Sequence, residues 1–345
     1  MLQTENPKST KLLDWLLHST AMNLNACKCT FAEDRRIRWT TGKNLSMWFD
    51  VYEHDLVELG FGYRDASGAI VIPEEQLKNI LNFDETRLSL DGSQGNRGGR
   101  PEVIFFDPRF PQLGKATSKS ALTTTMITGS NAAGEALPPH FQFQTKVLSA
   151  ETTRIRYDVA DFMPMVIGKF GADEVREWPT TYGMNEKGGM DNTKFEKYIK
   201  NSIVPLYPHA RDEFGKRVLL KCDSGPGRMN IDLLCWLRRE GFILYPSVPN
   251  TTAVTQETDQ NYGQFKSQFR TNLSLVIDHR VEMGESVSLQ PWLVGLFVFG
   301  GIDLVTEYEV ETSAFQVGFS REECLRAWVK VGAAPLTRKC LASNI

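Results

Sequence analysis

Ile80-Leu81-Asn82-Phe83-Asp84 is a short apolar run that ends in an acid, and it predicts a buried β-strand. Residues 217–223 repeat this pattern, because an apolar run there closes on Asp223 and turn residues follow. A third acid, Asp259, lies in the first turn of a long predicted helix. An acid at the end of a buried strand is held rigidly at the rim of the sheet, where several carboxylates can converge on hard cations. We therefore expect Asp84, Asp223 and Asp259 to form one site.

The order of the predicted elements indicates the fold class. The predicted strands cover 80–84, 103–106, 120–128, 217–223 and 242–245, and the predicted helices of the same region cover 194–206, 230–239 and 254–281. Three antiparallel strands followed by alternating helices and strands is the order of the ribonuclease-H-like fold. We predict an α/β fold whose core is a mixed five-stranded sheet flanked by helices, with helical additions at the N- and C-termini.

Three segments are predicted along the chain. Residues 1–78 form a helical N-terminal segment, because apolar residues between 45 and 59 recur at roughly helical intervals. Residues 79–281 form the ribonuclease-H-like core, with an irregular insertion near 145–190. Residues 282–345 form a helical extension, in which 320–339 is one more predicted helix.

The bulk composition indicates a globular protein without a strong charge. The chain has 345 residues, of which 41% are hydrophobic and 23% charged, enough for a sizeable core. The formal net charge of −3 lacks the basic excess that a dedicated DNA-binding module usually carries. Any contact with nucleic acid must therefore use local basic patches or an acidic site that holds metal ions.

The cysteines and the apolar runs bear on location. Six cysteines are scattered along the chain, so neither a disulfide framework nor a zinc site is expected, and a reducing compartment is predicted. The N-terminus lacks the pattern of a secretory signal, so we do not expect secretion. The most apolar run, near 292–305, is too short for a membrane span and contains Asp303.

The sequence motifs around the three acids resemble those of a known family. Asn82-Phe83-Asp84-Glu85-Thr86 resembles the N-x-D-E-T motif of the DDE superfamily endonucleases, in the pogo/Tigger branch of the mariner-like transposases. Asp223-Ser224-Gly225-Pro226-Gly227 is similar to that family's D-N-A-P-G-H, and residues 249–260 to its P-N-T-T-S-x-x-Q-P-x-D-Q. Residues 134–139 resemble its G-x-x-L-P-P loop, and the similarity spans about 45–335.

The resemblance implies a function and a set of ligands. It implies a ribonuclease-H-like core, Mg²⁺ or Mn²⁺ as cofactor, and DNA as the partner that is cleaved and joined. Carried over residue by residue, Asp84, Asp223 and Asp259 become both the catalytic residues and the metal ligands. Two closely spaced cations would serve an in-line phosphoryl transfer in which water first nicks DNA and the freed 3′-hydroxyl then attacks a target. We also expect a nuclear or cytosolic location, a homodimer as a possible assembly and no contact with membrane.

Several features keep alternatives open. Arg228 stands where the family commonly has His, and Glu257 where Pro is usual. Members of the branch usually carry N-terminal helix-turn-helix domains, and residues 1–78 are not markedly basic, so we expect a catalytic core without its DNA-reading end. Each acid alone could be a turn former or a helix-dipole partner, and Glu85 is not expected to be a ligand because it points away from Asp84. The rivals are a non-catalytic, domesticated transposase that binds DNA or a protein partner, and a nuclease that acts on RNA/DNA hybrids.

Overall fold

The computed structural model describes part of the chain. The described residues are 41–90, 123–144, 180–213, 216–223, 228, 230–247, 251, 255–289 and 293–337. They all belong to one unit, Trp39–Ile345. The predicted strand at 103–106 and most of the predicted insertion near 145–190 lie outside the described residues, and the segment boundaries at 78 and 281 stay predictions.

The first described elements form a layer at one end of the sheet. Helix α1 (Gly42–Glu58) begins at Thr41, whose side chain caps it by accepting a hydrogen bond from the Asn44 amide. Its buried residues recur three or four positions apart, which places them on one face: Leu45, Trp48, Phe49, Tyr52 and Leu56. Two short antiparallel strands and one helical turn follow: β1 (Tyr63–Arg64), β2 (Ile70–Val71) and α2 (Glu74–Leu77).

A mixed sheet of six strands forms the centre of the described part. Its strands are β3 (Ile80–Ser89), β4 (Thr123–Asn131), β5 (His140–Gln144), β6 (Thr181–Asn185), β7 (Val218–Cys222) and β8 (Phe242–Pro246). The spatial order is β6-β5-β4-β3-β7-β8; β3, β4 and β5 are antiparallel, and the other neighbours are parallel. An antiparallel meander extended by parallel strands beside its first member is the predicted ribonuclease-H-like arrangement, and this fold class is confirmed.

The predicted strand count of five is wrong, because β6 adds a sixth strand beyond β5. Its sequence, Thr-Tyr-Gly-Met-Asn, contains a glycine and gives a weak local signal, and only the ladder to β5 makes it a strand. The third meander strand is β5, within a stretch for which no element was predicted, and β4 continues to Asn131, beyond the predicted end at 128. The meander therefore consists of β3, β4 and β5.

The position predicted for Asp84 within its strand is also wrong. Strand β3 does not end at Asp84 but continues to Ser89, because β4 pairs with it along its length, as far as Ser89 opposite Thr123. What ends near Asp84 is the parallel ladder to β7, which pairs only residues 80–82 of β3. Asp84 therefore lies in mid-strand, at the point where one neighbour of its strand has stopped.

Helices cover both faces of the sheet. They are α3 (Asn192–Tyr198), which continues through a π-turn (Ile199–Ile203) and a 3₁₀ turn (Val204–Leu206), then α4 (Ile231–Arg239), α5 (Glu257–Glu282), α6 (Val294–Phe299), α7 (Ala314–Phe319) and α8 (Arg321–Val331). A short hairpin of β9 (Gly301–Ile302) and β10 (Glu309–Val310) follows α6. The predicted helices at 194–206, 230–239, 254–281 and 320–339 are confirmed apart from their ends. None of the described helices is long and apolar enough to cross a membrane.

Three buried clusters place these helices on the sheet. On one face, Leu88 and Met126 pack in the cluster that contains Phe265 and Phe269 of α5. On the other face, Phe83 shares a cluster with side chains of α3 and α4. The third cluster joins α1 and α8 to Ile80 and Leu219, at the end of the sheet where β3 and β7 begin. The middle of β3 is thus enclosed on both sides, which fixes the side chains that it carries.

A close backbone approach gives a prediction for β4. A Cβ added at Gly129 would lie 1.9 Å from the carbonyl oxygen of Asn82, so Gly129→Ala must push β4 away from β3. We expect this substitution to lower the free energy of unfolding by about 2 kcal/mol, measured by urea denaturation. Gly189→Ala is the matched control, because nothing lies within 4 Å of the added Cβ there. Equal loss of stability in the two variants would contradict the close approach.

Candidate active site

Strand register brings Asp84 and Asp223 to neighbouring positions. The last residue pair of the parallel ladder is Asn82 opposite Lys221. Asp84 lies two residues further along β3, and Asp223 is the residue that follows the end of β7 at Cys222. Because side chains alternate along a strand, Asp84 lies on the face of the sheet that carries Asn82. That face holds α5, since Asn82 hydrogen-bonds to Thr258 within it.

Asp259 is brought to the same face by the contacts that hold the start of α5. The amide of Thr258 donates to Oδ1 of Asn82 over 2.9 Å, and its hydroxyl donates to the same oxygen over 2.6 Å. One turn later, the hydroxyl of Tyr262 donates to the backbone carbonyl of Asp84 over 2.6 Å. These buried bonds lie on either side of Asp259 in α5 and fix its first turn against the middle of β3.

Asp84 and Asp259 therefore face each other across a site with little solvent. Burial first, and then the negative charge of Asp259, raise the pKa of the Asp84 carboxyl to about 7. The side chain of Asp84 is only 15% exposed. Two carboxylates that repel each other in such a place form a site that favours a positive charge.

The positive charge of Arg228 lies mainly against Asp223 and Glu85, and less against the Asp84–Asp259 pair. Its guanidinium donates to Asp223 and, over 2.8 Å, to Oε1 of Glu85, while its Nη2 lies 3.9 Å from Oδ1 of Asp84. It also lies over the ring of Phe195, 5.6 Å from the centroid. The side chain is 9% exposed. Arg228 thus lies near the end of β7, where it binds Asp223 and approaches Asp84.

Glu85 takes part in this arrangement, although it was not predicted to be a ligand. It follows Asp84 in a continuous strand and so points to the opposite face, as predicted from strand alternation. The long side chain of Arg228 nevertheless reaches it past the end of β7. Burial raises the pKa of the Glu85 carboxyl, and the nearby guanidinium opposes that rise. Glu85 is therefore a partner of Arg228 and not a member of the Asp84–Asp259 pair.

Lys266 is a second cation near the acids. It lies in α5 two turns after Asp259, and its ammonium sits 5.6 Å from the ring centroid of Tyr262. Burial lowers the pKa of Lys266, while the negative charges of Asp259 and Asp84 act to raise it. Lys266 was not predicted as a site residue, because no local sequence pattern indicates that its side chain turns toward the acids.

The donors suit a hard cation, but they are not gathered around one point. Carboxylate oxygens are the ligands that Mg²⁺ and Mn²⁺ prefer, and the repulsion between Asp84 and Asp259 would be relieved by such an ion. Within the described ranges, no three His, Cys, Asp or Glu side chains are grouped closely enough to hold a metal ion. Asp84 and Asp259 thus form a pair that fits a cation, and the third predicted ligand, Asp223, is held by Arg228.

Comparison with known proteins gives a distant likeness. No protein-family model and no curated protein matches the chain. Among solved structures, the chain is similar to the Mos1 strand transfer complex, with 9% identity, a TM-score of 0.44 and coverage of 97% of this chain and 69% of that one. The Mos1 mariner paired end complex with Mn gives 11% identity, a TM-score of 0.43 and coverage of 97% and 70%.

Proposed function

We propose that this chain is the catalytic core of a metal-dependent DNA endonuclease and strand transferase of the DDE type, in the pogo/Tigger branch that its motifs resemble. The observation that carries the proposal is the pair of interacting, partly buried carboxylates, Asp84 and Asp259: burial first, and then the charge of Asp259, raise the pKa of Asp84 to about 7. Asp223 follows the end of β7, the strand beside β3, and is joined to this region through Arg228. The repulsion between Asp84 and Asp259 costs the fold stability, and a bound cation would relieve it.

Mg²⁺ or Mn²⁺ is the proposed cofactor. Asp84 and Asp259 would hold it, and Asp223 would complete the set once Arg228 releases its carboxylate. When bound, such ions activate the attacking oxygen and stabilise the leaving oxygen of a phosphodiester. DNA is the proposed partner, and a nuclear location and a homodimer belong to the same proposal.

The chain's own cations would position the DNA. Lys266 is held over Tyr262 beside the acids, so a phosphate bound at Asp84 and Asp259 would lie within reach of its ammonium. Arg228, once released from Asp223, would offer its guanidinium to a second phosphate oxygen. The acidic site would thus attract a phosphate through these two side chains, despite the net negative charge of the whole protein.

One observation favours the second candidate, a non-catalytic relative that binds DNA or a protein partner. Arg228 already neutralises Asp223 and Glu85 without any metal ion. A chain released from catalysis could keep its acids in this internally paired form. The two candidates differ in whether metal ions displace the guanidinium from Asp223.

The test is nicking of supercoiled plasmid DNA with Mg²⁺ or Mn²⁺. We expect the wild-type protein to nick only when metal is present, and Asp223→Ala to stay at background, because the variant lacks one of the three ligands. Asp278→Ala is the control, since Asp278 is an exposed acid on α5, the helix that also carries Asp259. Equal nicking by wild type and Asp223→Ala would refute the ligand assignment. DNA binding without nicking in the wild type would favour the non-catalytic candidate.

A further inference from the structure

A buried ion pair joins the two elements that carry Asp223 and Asp259. The ammonium of Lys221, in β7, donates to Oε1 of Glu257, the first residue of α5. Both side chains are 0% exposed. Lys221 lies two residues before Asp223, which follows the last residue of β7, and Glu257 lies two residues before Asp259 in the first turn of α5. The ion pair therefore links the two segments that carry the acids, and each of its members lies two residues before one of them.

Three aromatic rings surround the ammonium of Lys221. The ring centroids of Trp48 and Tyr52, both in α1, lie 5.3 and 4.9 Å from Nζ, and that of Trp328 in α8 lies 5.1 Å away. The first two rings are stacked, and Trp328 is itself fixed by a hydrogen bond from its Nε1 to Oγ of Ser130. Rings at these distances stabilise a desolvated cation. Elements far apart in sequence thus converge to hold one charged group in place.

Stability alone does not explain this arrangement. Burying an ion pair costs desolvation of both charges, and apolar side chains of similar volume usually stabilise a fold at least as well. What an ion pair adds is direction, since the ammonium and the carboxylate are held at one distance and one angle. A packed apolar pair would allow α5 to slide or rotate slightly against β7.

Further links fix the start of α5 relative to the sheet. Asn82 ties α5 to β3 through Thr258, next to Glu257, and the parallel ladder ties β3 to β7. Lys221 and Glu257 close the third side by tying β7 to α5. Three links between three elements fix the first turn of α5 relative to both strands. Glu257 is also where the chain departs from the proline of the family pattern, so this link is a feature of its own sequence.

We propose that Lys221 and Glu257 are positioning residues, which set Asp223 and Asp259 relative to each other for the reaction. This inference rests on the proposed function for its consequence in catalysis, but its structural part stands without it. Lys221 and Glu257 do not touch the substrate. They act by holding the ends of β7 and α5 in one register.

The test replaces the ion pair by an apolar pair, Lys221→Met with Glu257→Leu. We expect the double variant to keep the urea midpoint of the wild type, because apolar packing offsets the lost pair. In metal-free protein, the amides of Asn261 and Tyr262 are expected to exchange about tenfold faster, because the first turn of α5 is less firmly held. Affinity for Mn²⁺, measured by calorimetry, should fall about tenfold. The kcat of plasmid nicking should fall about 100-fold, with KM for DNA unchanged.

The matched control is a second buried ion pair on the same helix. Arg280, near the end of α5, binds Asp303 over 2.5 and 2.7 Å, and their side chains are 3% and 0% exposed. Arg280→Met with Asp303→Leu should leave the exchange of Asn261 and Tyr262 amides, Mn²⁺ affinity and kcat as they are in the wild type.

The outcomes separate the two proposals. Unchanged amide exchange in a folded Lys221→Met, Glu257→Leu variant overturns the positioning role, whether or not the protein is an enzyme. If that double variant does not fold, Glu257→Gln, which keeps one hydrogen bond from Lys221, provides the exchange measurement. A wild-type protein that neither binds Mn²⁺ nor nicks DNA overturns the proposed function, and the exchange result still decides the structural part.

Discussion

In metal-free solution at pH 8, Asp84→Asn is expected to raise the free energy of unfolding by about 4 kcal/mol. The reason is that the folded chain holds the Asp84 carboxyl at a pKa of about 7, against an ordinary value of 3.8. The carboxylate is therefore less favourable in the folded protein than in the unfolded chain. Asparagine has nearly the same shape and no charge, so it removes both the desolvation of the carboxylate and its repulsion by Asp259.

Because the pKa of Asp84 is raised in the folded protein, the stability advantage of Asp84→Asn should grow as the pH rises. Below about pH 3 the Asp84 carboxyl is protonated in both states, and the two proteins should be equally stable. As the pH rises from about 3 to 7, the unfolded chain loses its proton first, so the wild type should lose stability that the variant keeps. Urea denaturation in EDTA at pH 5 and pH 8 measures the difference. Asp278→Asn, at an exposed position of α5, should show no such change between the two pH values.

Metal ions should reverse the order of stability. If Asp84 is a ligand, Mg²⁺ or Mn²⁺ binds the folded wild type and stabilises it by an amount that grows with the logarithm of the ion concentration above the dissociation constant, while Asp84→Asn gains little. At pH 8 with millimolar Mn²⁺, the difference between the two proteins is expected to shrink or change sign. An advantage of Asp84→Asn that stays constant from EDTA to saturating Mn²⁺ would show that Asp84 binds no ion.

Arg228→Met is expected to lower the free energy of unfolding by about 3 kcal/mol in EDTA. Methionine keeps most of the contact with Phe195 but removes the charge of Arg228 from the partly buried Asp223 and Glu85. Breaking a partly buried ion pair from one side is costly because the remaining charges stay incompletely solvated. Urea denaturation measures the loss, and Arg239→Met, at an exposed position of α4, is the control.

The same substitution should strengthen metal binding. Arg228 competes with a metal ion for Asp223, so its removal is expected to raise the affinity for Mn²⁺ by about tenfold, measured by calorimetry. Saturating Mn²⁺ should then restore much of the stability that Arg228→Met loses. Wild-type affinity in the variant would mean that Asp223 is not a ligand, and it would favour the non-catalytic candidate.

Local sequence patterns predicted most of the elements. The periodicity of apolar residues predicted α3, α4, α5 and α8 apart from their ends, because each pattern is written within one segment. Strands β7 and β8 were predicted for the same reason. The pattern did not reveal β6, whose few residues become a strand only by pairing with β5, or the length of β3, whose second half depends on its pairing with β4.

The residues around the site divide in a similar way. Motifs predicted Asp84, Asp223 and Asp259 as a set, since each acid stands within a recognisable stretch. Nothing local indicated that Arg228 binds Glu85, 143 positions away, or that Asn82 holds Thr258, 176 positions away. Such pairs form only when distant elements pack together, and single-segment patterns carry no record of them.

Local sequence patterns alone predicted Asp84, Asp223 and Asp259 as candidate site residues, and they predicted α3, α4, α5, α8, β7 and β8, because alternation, periodicity and turn residues are local. Only the tertiary structure decided that Asp84 lies in mid-strand beside the end of β7, that it faces Asp259, and that Arg228 holds Asp223. It also decided that Lys221 and Glu257 meet within a cage of rings from α1 and α8. The physical reason is that the pKa of a buried acid and the partner of a buried cation depend on which distant side chains exclude water from them.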